Sequence, residues 1–426
     1  MFIKVNFAGL FLIFMTPLRF VIPPLLILVI DLYFFQSVKT ASRDFSDGIK
    51  NSIFWLYWIF TVFSVSFIIL MMTMPQTFLP KFLRIYVISV IMIIILSKII
   101  GSIFLLLEDI TRFIRWTFLK IGFFADGSYS ASRAKFISQA GIIISFIPFT
   151  SFIYGMVKTG FDYKVRTVKL FLPNLPDTFN GYRIAQLSDI HSGSFSNGDP
   201  LKKAVSLLMK EQPDMIFFTG DLVNSRSEEA ENFISELSEV KAKDGVYSVL
   251  GNHDYGDYFQ WDNKEDKEKN FQQLVNIHAK LGWRLLRNQN YILEKDGAQL
   301  AIIGVENWGG AMRFPKYGDL DVAKKGVEHI PIKLLLSHDP SHWDAKVRPV
   351  HPDIDITFSG HTHGFQFGIE IPGFKWSPVQ YVYKQWAGLY EEGNQKIYVN
   401  RGLGFLGYLG RVGILPEITV FELSNK

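Results

Sequence analysis

Five short clusters of acid–base and metal-ligating side chains punctuate the second half of this chain. They are Ser188-Asp189-Ile190-His191, Gly220-Asp221, Gly251-Asn252-His253-Asp254, Ser337-His338-Asp339 and Gly360-His361-Thr362-His363-Gly364. The sequence has no cysteine, so a metal site must be built from Asp, Glu, His and Asn. Two cations ~3.5–4 Å apart need a bridging carboxylate with imidazole and carboxylate ligands on either side. Asp221, on the central loop after a tight glycine, is the natural bridge. Asp189, His191 and His363 then complete one cation, and Asn252, His338 and His361 the other. His253 stands beside a ligand but has a different role. As an imidazolium it can protonate a leaving oxygen, with Asp254 placed either to hold it or, in the plainer reading, to stabilise the loop. The glycines ahead of Asp221, Asn252 and His361 are expected to let the chain turn sharply and keep the rim open to a phosphate. The plain alternative, a satisfied loop histidine, fits His278, His329, His342 and His351 better than the clustered ones. His342 lies near enough in sequence to touch a substrate.

These clusters need a scaffold that brings distant loops together. From Gly181 onward short apolar runs alternate with amphipathic stretches. Strands are expected at Tyr182–Ser188, Met215–Thr219 and Val246–Leu250, with helices at Leu201–Lys210 and Ala230–Val240 between them. That βαβαβ rhythm implies a parallel sheet with crossover helices. A hairpin is expected through Asp296-Gly297, joining Tyr291–Leu293 to Ala298–Val305. Lys333–Ser337, Ile354–Ser359, Lys396–Asn400 and Glu417–Leu423 read as further strands, and Asp162–Pro176 holds a leading one. The count suggests two stacked sheets. Every cluster follows a strand, and ligands of α/β sheets bind outside the carboxyl ends of strands. Five separated loops therefore converge on one rim.

The series DIH, GD, GNHD, SHD and GHTHG resembles the calcineurin-like metallophosphoesterases, in the branch with N-terminal transmembrane segments. The supporting stretches are LPDTFNGYRIAQLSDIHSGSF, PDMIFFTGDLVN, VYSVLGNHDYG, LLLSHDPSHWDAKV, DITFSGHTHGFQFG and YVNRGLGFLGYLGRVGILPEITV, which span nearly all of residues 170–426. The resemblance implies a four-layer αββα sandwich and a centre of two divalent metal ions (Mn, Fe or Zn). It implies phosphoester hydrolysis by attack of a metal-bound hydroxide. One departure matters: phosphoprotein phosphatases of this superfamily carry GDxxDR, whereas here the run is Gly220-Asp221-Leu222-Val223-Asn224-Ser225-Arg226. Asn224 can orient His253 but adds no charge, which argues against a phosphoprotein substrate.

The first half has another character. Apolar runs at Arg19–Phe35, Ile53–Pro75 and Leu83–Leu107, and a weaker one at Phe136–Val157, are near the ~20 residues that cross a bilayer. Phe7–Met15 is too short to span alone and either lies at the interface or extends the first helix. Lys98, past the midpoint of the third run, is expected to snorkel. The chain therefore divides into a transmembrane region (residues 1–157, about four helices), a linker and first strand (158–180) and the metallophosphoesterase domain (181–426). Lys39, Arg43 and Lys50 follow the first run, and Arg112, Arg115, Lys120, Arg133 and Lys135 follow the third. Only Lys81 and Arg84 lie between the second and third. The positive-inside rule then places the catalytic half outside the cytoplasm, in a multi-pass protein of the cell membrane.

A net charge of +4 with no basic stripe gives no reason to expect a nucleic acid. The expected partners are the lipid bilayer and a phosphate ester, free or lipid-linked. A nucleotide-sugar-lipid pyrophosphatase is the alternative within the enzymes. A transporter or sensor with a degenerate phosphoesterase domain is the alternative outside them. The mixed-charge insertion Asp257–Lys269 reads as a solvated face, or as a lid through Tyr258, Phe259 and Trp261. Trp308–Tyr317, with Arg313 and Lys316, reads as a loop with access to the same rim. Arg401 and Arg411 are either structural or close to the site.

Overall fold

A computed structural model describes residues 7–74, 78–121, 131–310 and 314–426, with residues 7–19, 81, 82 and 131 described by backbone alone. Pro75 and Arg313 lie outside the described residues. The chain forms two units, Met1–Ile153 and Tyr154–Lys426.

The first unit is built from helices α1 (Phe7–Ala41), α2 (Asp47–Thr73), α3 (Lys81–Lys120) and the greater part of α4 (Ala131–Val157). Each contains a stretch long and apolar enough to cross a membrane. The short run Phe7–Met15 continues α1 rather than forming an element of its own. Apolar side chains such as Leu56, Val62 and Ile143 face outward, as lipid-facing positions must. Where helices touch, residues are small: a side chain at Gly101 would strike Phe34 and Gly141, and one at Gly141 would strike Leu105. Such contacts let α3 and α4 approach closely by van der Waals packing. Lys98 does not snorkel. Its Nζ lies 2.6 Å from Asp31 Oδ1, with both side chains buried, and Tyr57 and Thr61 also donate to Asp31. In an apolar interior a lysine that meets a carboxylate is neutralised at less cost than one stretched to the interface. Asp31, the acid that decides this, is marked by no motif in its own run.

The second unit is a sandwich of two six-stranded mixed sheets. β1 (Lys164–Phe171), β2 (Arg183–Leu187), β3 (Met215–Phe218), β4 (Val246–Ser248) and β5 (Trp283–Leu285) belong to the first. β6 (Gln289–Lys295), β7 (Ala298–Gly304), β8 (Lys333–Leu336) and β9 (Ile356–Ser359) belong to the second. Then come a separate hairpin, β10 (Ile369–Ile371) and β11 (Phe374–Trp376), the pair β12 (Gly388–Glu392) and β13 (Gln395–Val399), and β14 (Glu417–Ser424). The sheet orders are β1-β14-β2-β3-β4-β5 and β12-β13-β9-β8-β7-β6. Strand alternation explains the layers. Ile184, Phe217, Tyr247 and Phe421 of one sheet meet Leu300, Leu334, Phe358 and Tyr398 of the other in a central core. Ala185, Ile216 and Phe218 face outward under α5 (Asp199–Lys210) and α6 (Lys264–Lys280), and Ile303, Leu335 and Ile397 face Leu320, Val327 and Trp343. This is the expected αββα sandwich.

One expected helix is corrected, and two local details are added. Ala230–Val240 is not one helix but two short turns, Glu228–Glu231 and Ile234–Leu237. The charged stretch Asp257–Lys269 is half loop and half the start of α6, because Asn263 Oδ1 caps the helix by accepting from Asp266 N at 2.8 Å. The β10–β11 hairpin is not among the expected strands, although Pro372-Gly373 between alternating apolar residues is a turn signal.

Candidate metal centre

β2, β3, β4, β8 and β9 end on the same edge, and each of the five clusters begins within three residues of one of those ends. Asp189, His191 and His363 come together in one group, and Asp221, His338 and His361 in a second. Asp221 adjoins both groups: its Oδ2 is 3.5 Å from His191 Nε2 and 3.2 Å from His338 Nε2. Asn252 joins the second group through its Oδ1, 2.8 Å from His361 Nδ1. All seven residues proposed as ligands from the sequence therefore line one buried hollow.

The backbone carries strain there. Asp189, His191, Asp221, His361 and His363 all have positive φ, between 46° and 71°. Non-glycine residues seldom adopt this conformation, and it is held only where surrounding contacts over-determine it. The glycines serve in two ways. Gly220 has a φ of 96° and makes a turn. Gly251 and Gly360 are not turn glycines: a β-carbon at Gly251 would collide with the Asp221 carboxylate, and one at Gly360 with Ser188 Oγ and the Asp189 carboxylate. They are small so that the acids can come in close.

Tautomers are fixed by the surroundings. His338 Nδ1 lies 2.7 Å from the Thr219 carbonyl oxygen and must donate to it, which leaves Nε2 facing Asp221. Asn252 Nδ2 donates to Tyr258 Oη at 2.9 Å, which aims its oxygen inward. His361 Nε2 meets Tyr383 Oη at 2.8 Å and Asp339 Oδ2 at 3.6 Å, leaving Nδ1 facing the hollow. Partners of this kind orient metal-ligating imidazoles.

Electrostatics agree with a cation site. Burial pulls His191 down to about 3, and burial with the neighbouring His191 and Arg411 holds His363 well below its ordinary range. Both imidazoles are thus neutral and keep lone pairs. Burial pushes Asp189 up to about 6. Burial disfavours charge on His338 as well, but the Asp221 carboxylate outweighs it and lifts the ring to about 10. Both ring nitrogens of His191 and Nε2 of His363 are buried without a hydrogen-bond partner among the described residues. Buried polar atoms are otherwise satisfied in folded proteins. The neutral imidazoles of His191 and His363, with two carboxylates and an amide oxygen, fit divalent cations of the transition series, and a cation beside Asp221 would displace the proton that this carboxylate holds on His338.

His253 is oriented otherwise than expected, and Asp254 takes its plain role as a loop-stabilising carboxylate. His253 Nδ1 lies 2.7 Å from the Asn224 carbonyl oxygen, so the Asn224 backbone, not its side chain and not Asp254, orients the ring. The Asn224 side chain donates to Ser194 instead. The Asp254 carboxylate is spent on backbone: Oδ2 accepts from Gly251 N and Asp221 N, and Oδ1 from Leu222 N and Val223 N. Tyr258, from the charged insertion, packs on the His253 ring at 4.4 Å. His342 is held by Ser337 at 2.9 Å and stacks on Trp308. Arg411 is fully buried behind the site. It donates to the carbonyls of Arg401, Gly402 and His363, and its Nη2 lies 3.3 Å from His363 Nδ1. Arg401 pairs with Glu417 and Glu370. Tyr383 is not predicted from sequence, because no motif surrounds it and only the fold returns it to His361.

A family model described as calcineurin-like phosphoesterase matches residues 182–365. Another, described as probable calcineurin-like phosphoesterase, transmembrane domain, matches residues 10–160. A transmembrane protein with metallophosphoesterase domain from Danio rerio is 30% identical over 279 residues, covering 64% of this chain and 60% of that protein. The uncharacterized metallophosphoesterase YkuE of Bacillus subtilis (strain 168) is 29% identical over 256 residues, 59% of this chain and 82% of the relative. Phosphodiesterase YaeI of Escherichia coli (strain K12) is 28% identical over 248 residues, 57% of this chain and 82% of the relative. The chain spans only about three fifths of the Danio rerio protein's length. With its apolar helices and its αββα sandwich, the chain is similar along its length to the calcineurin-like metallophosphoesterases, matching first their transmembrane domain and then their phosphoesterase domain.

Proposed function

We propose that this protein is a membrane-anchored phosphoester hydrolase that uses two divalent cations and acts on envelope or lipid-linked phosphates outside the cytoplasm. The observation that carries the reading is the pair of ligand groups meeting at Asp221. Asp189, His191 and His363 would hold one cation, and Asn252, His338 and His361 the other. Cations bound there supply Lewis-acid activation of the phosphoryl group and of water. The chain's own contribution is positional. Asp221 Oδ1 accepts from His253 N at 2.9 Å, fixing the loop that carries His253 against the bridging carboxylate. With its Nδ1 proton on the Asn224 carbonyl, His253 presents Nε2 for proton transfer to a leaving oxygen. Tyr258 and Phe314 flank the hollow against His253 and His361, giving the substrate's non-phosphate part an aromatic wall. The orientation outside the cytoplasm follows from the basic residues around the first and third spans, and the substrate class from that placement beside the bilayer.

Asp221→Asn tests the bridge. Elemental analysis of the purified full-length chain should show both cations lost together, with hydrolysis of aryl phosphoesters abolished. Two full equivalents retained by the variant would refute the bridge. An alkaline phosphatase or fluorescent-protein fusion after Lys158 tests the orientation: a fluorescent cytoplasmic fusion with an inactive phosphatase fusion would reverse it.

A further inference from the structure

The β10–β11 hairpin is amphipathic in the wrong sense for a soluble protein. Its register pairs Ile369 with Trp376, Glu370 with Lys375 and Ile371 with Phe374. Side chains alternate across a strand, so Glu370 and Lys375 share one face and Ile369, Ile371, Phe374 and Trp376 the other. The polar face lies toward the domain: Glu370 pairs with Arg166 and Arg401, and Lys375, itself exposed, donates through Nζ to the Ala387 carbonyl and to Tyr390 Oη. The apolar face is turned out, with Ile369 49%, Ile371 58% and Phe374 53% exposed. Beside it Tyr381, Val382 and Phe365 are exposed as well. A hairpin with one wet face normally shows the reverse pattern, and an exposed apolar patch of this kind marks an interaction site.

The chain itself indicates what covers the patch. The last apolar helix ends at Val157, and its final turn belongs to the catalytic unit. A side chain at Gly155 would strike Tyr408, the Arg411 carbonyl and Val412, and Arg411 N donates to the Gly155 carbonyl at 3.3 Å. The same 408–413 loop roots the hairpin: Gly368 N donates to Val412 O at 2.9 Å, Val412 N to Gln366 O at 2.7 Å, and Phe367 bridges to Val412. The end of the last apolar helix and the point where the hairpin springs are thus held by one piece of backbone. We infer that the outer face of this hairpin, Ile369, Ile371 and Phe374 with Trp376 and Tyr381 beside them, inserts into the lipid interface and seats the catalytic domain on the membrane surface. Trp376 Nε1 lies 3.5 Å from Tyr381 Oη, and such amphipathic rings favour headgroup depth. The segment runs from His363 to Tyr383, and both ends stand at the metal centre. Seating the hairpin therefore sets the distance between that centre and the lipid headgroups. The inference rests on the membrane spans and not on the phosphoesterase reading.

The cysteine-free sequence permits a direct test. Phe374→Cys and, separately, Ile371→Cys in the full-length chain are labelled with nitrobenzoxadiazole and reconstituted into vesicles of phosphatidylethanolamine and phosphatidylglycerol. Val322→Cys, exposed on the short helix Leu320–Ala323, is the reference. Nitroxide-bearing phospholipids should quench most of the emission at 374 and 371 and little at 322, while aqueous iodide should do the opposite. Iodide quenching at 374 and 371 without lipid quenching would overturn the inference. Shielding from both quenchers would also overturn it, by showing that a protein surface covers the hairpin. The readout needs no catalysis, so an inactive but lipid-seated protein would separate this inference from the proposed function.

Discussion

Asp254→Asn separates a chemical from an architectural role for the acid next to His253. Each carboxylate oxygen of Asp254 accepts two backbone N–H groups at 2.9–3.2 Å. An asparagine presents an amide N–H₂ in place of one oxygen, whichever way it flips, and so turns two donors against a donor. Two hydrogen bonds to a charged group are lost, at ~1.5–3 kcal/mol each, a total of ~3–6 kcal/mol. At ~2–4 °C per kcal/mol for a domain of this size, the catalytic unit's Tm should fall by about 6–24 °C. Because those bonds tie the Asp221 loop to the Asn252 loop, metal content should fall with stability. The assays are a thermal melt of the purified chain, elemental analysis, and hydrolysis of a nitrophenyl phosphoester. A variant with unchanged Tm and both cations, but little turnover, would refute the architectural role and return Asp254 to the chemistry.

His253→Ala should keep both cations and lose ~10²–10⁴-fold in rate on substrates with poor leaving groups, and much less on nitrophenyl esters. Equal losses on both, measured by steady-state kinetics, would remove it from the acid role. Lys98→Met leaves the Asp31 carboxylate buried without its cation, which should cost ~3–5 kcal/mol. Adding Asp31→Asn should restore most of the lost yield and detergent stability, and a double variant no better than Lys98→Met would exclude the pair as the cause. His278 is buried against Ser248, and burial pulls it down to about 3. Its folded-state pKa lies below the unfolded value of about 6.5, so the unfolded chain binds the extra proton. Stability is then full above pH ~6.5 and falls as pH drops towards 3, by up to ~4–5 kcal/mol from this group. His278→Gln should flatten the stability–pH slope in that window, and an unchanged slope in urea titrations would exclude His278 as the acid-sensitive group.

Much of this protein is written locally. The four apolar runs, the strand-ending positions of Asp189, Asp221, Asn252, His338 and His361, and the Asp296-Gly297 turn are properties of a few adjacent residues. Hydrophobic period and turn chemistry act at that range, so the two-part architecture, the two stacked sheets and the ligand types can be read from the chain. Other features depend on partners far away in sequence, and only the tertiary structure decides them. Lys98 meets Asp31 because two helices cross, not because of anything in its own span. Tyr383 and Asp339 reach His361, and Arg411 reaches His363, by way of loops that no motif joins. His253 and Asp254 are adjacent residues, yet the fold gives one ring to the Asn224 carbonyl and the other side chain to four amides. The inverted hairpin shows the same limit: its alternation is visible in the sequence, but which face is outward depends on Arg166 and Arg401 waiting behind Glu370. A residue's type sets which bonds it can make; the fold sets which of those partners it meets.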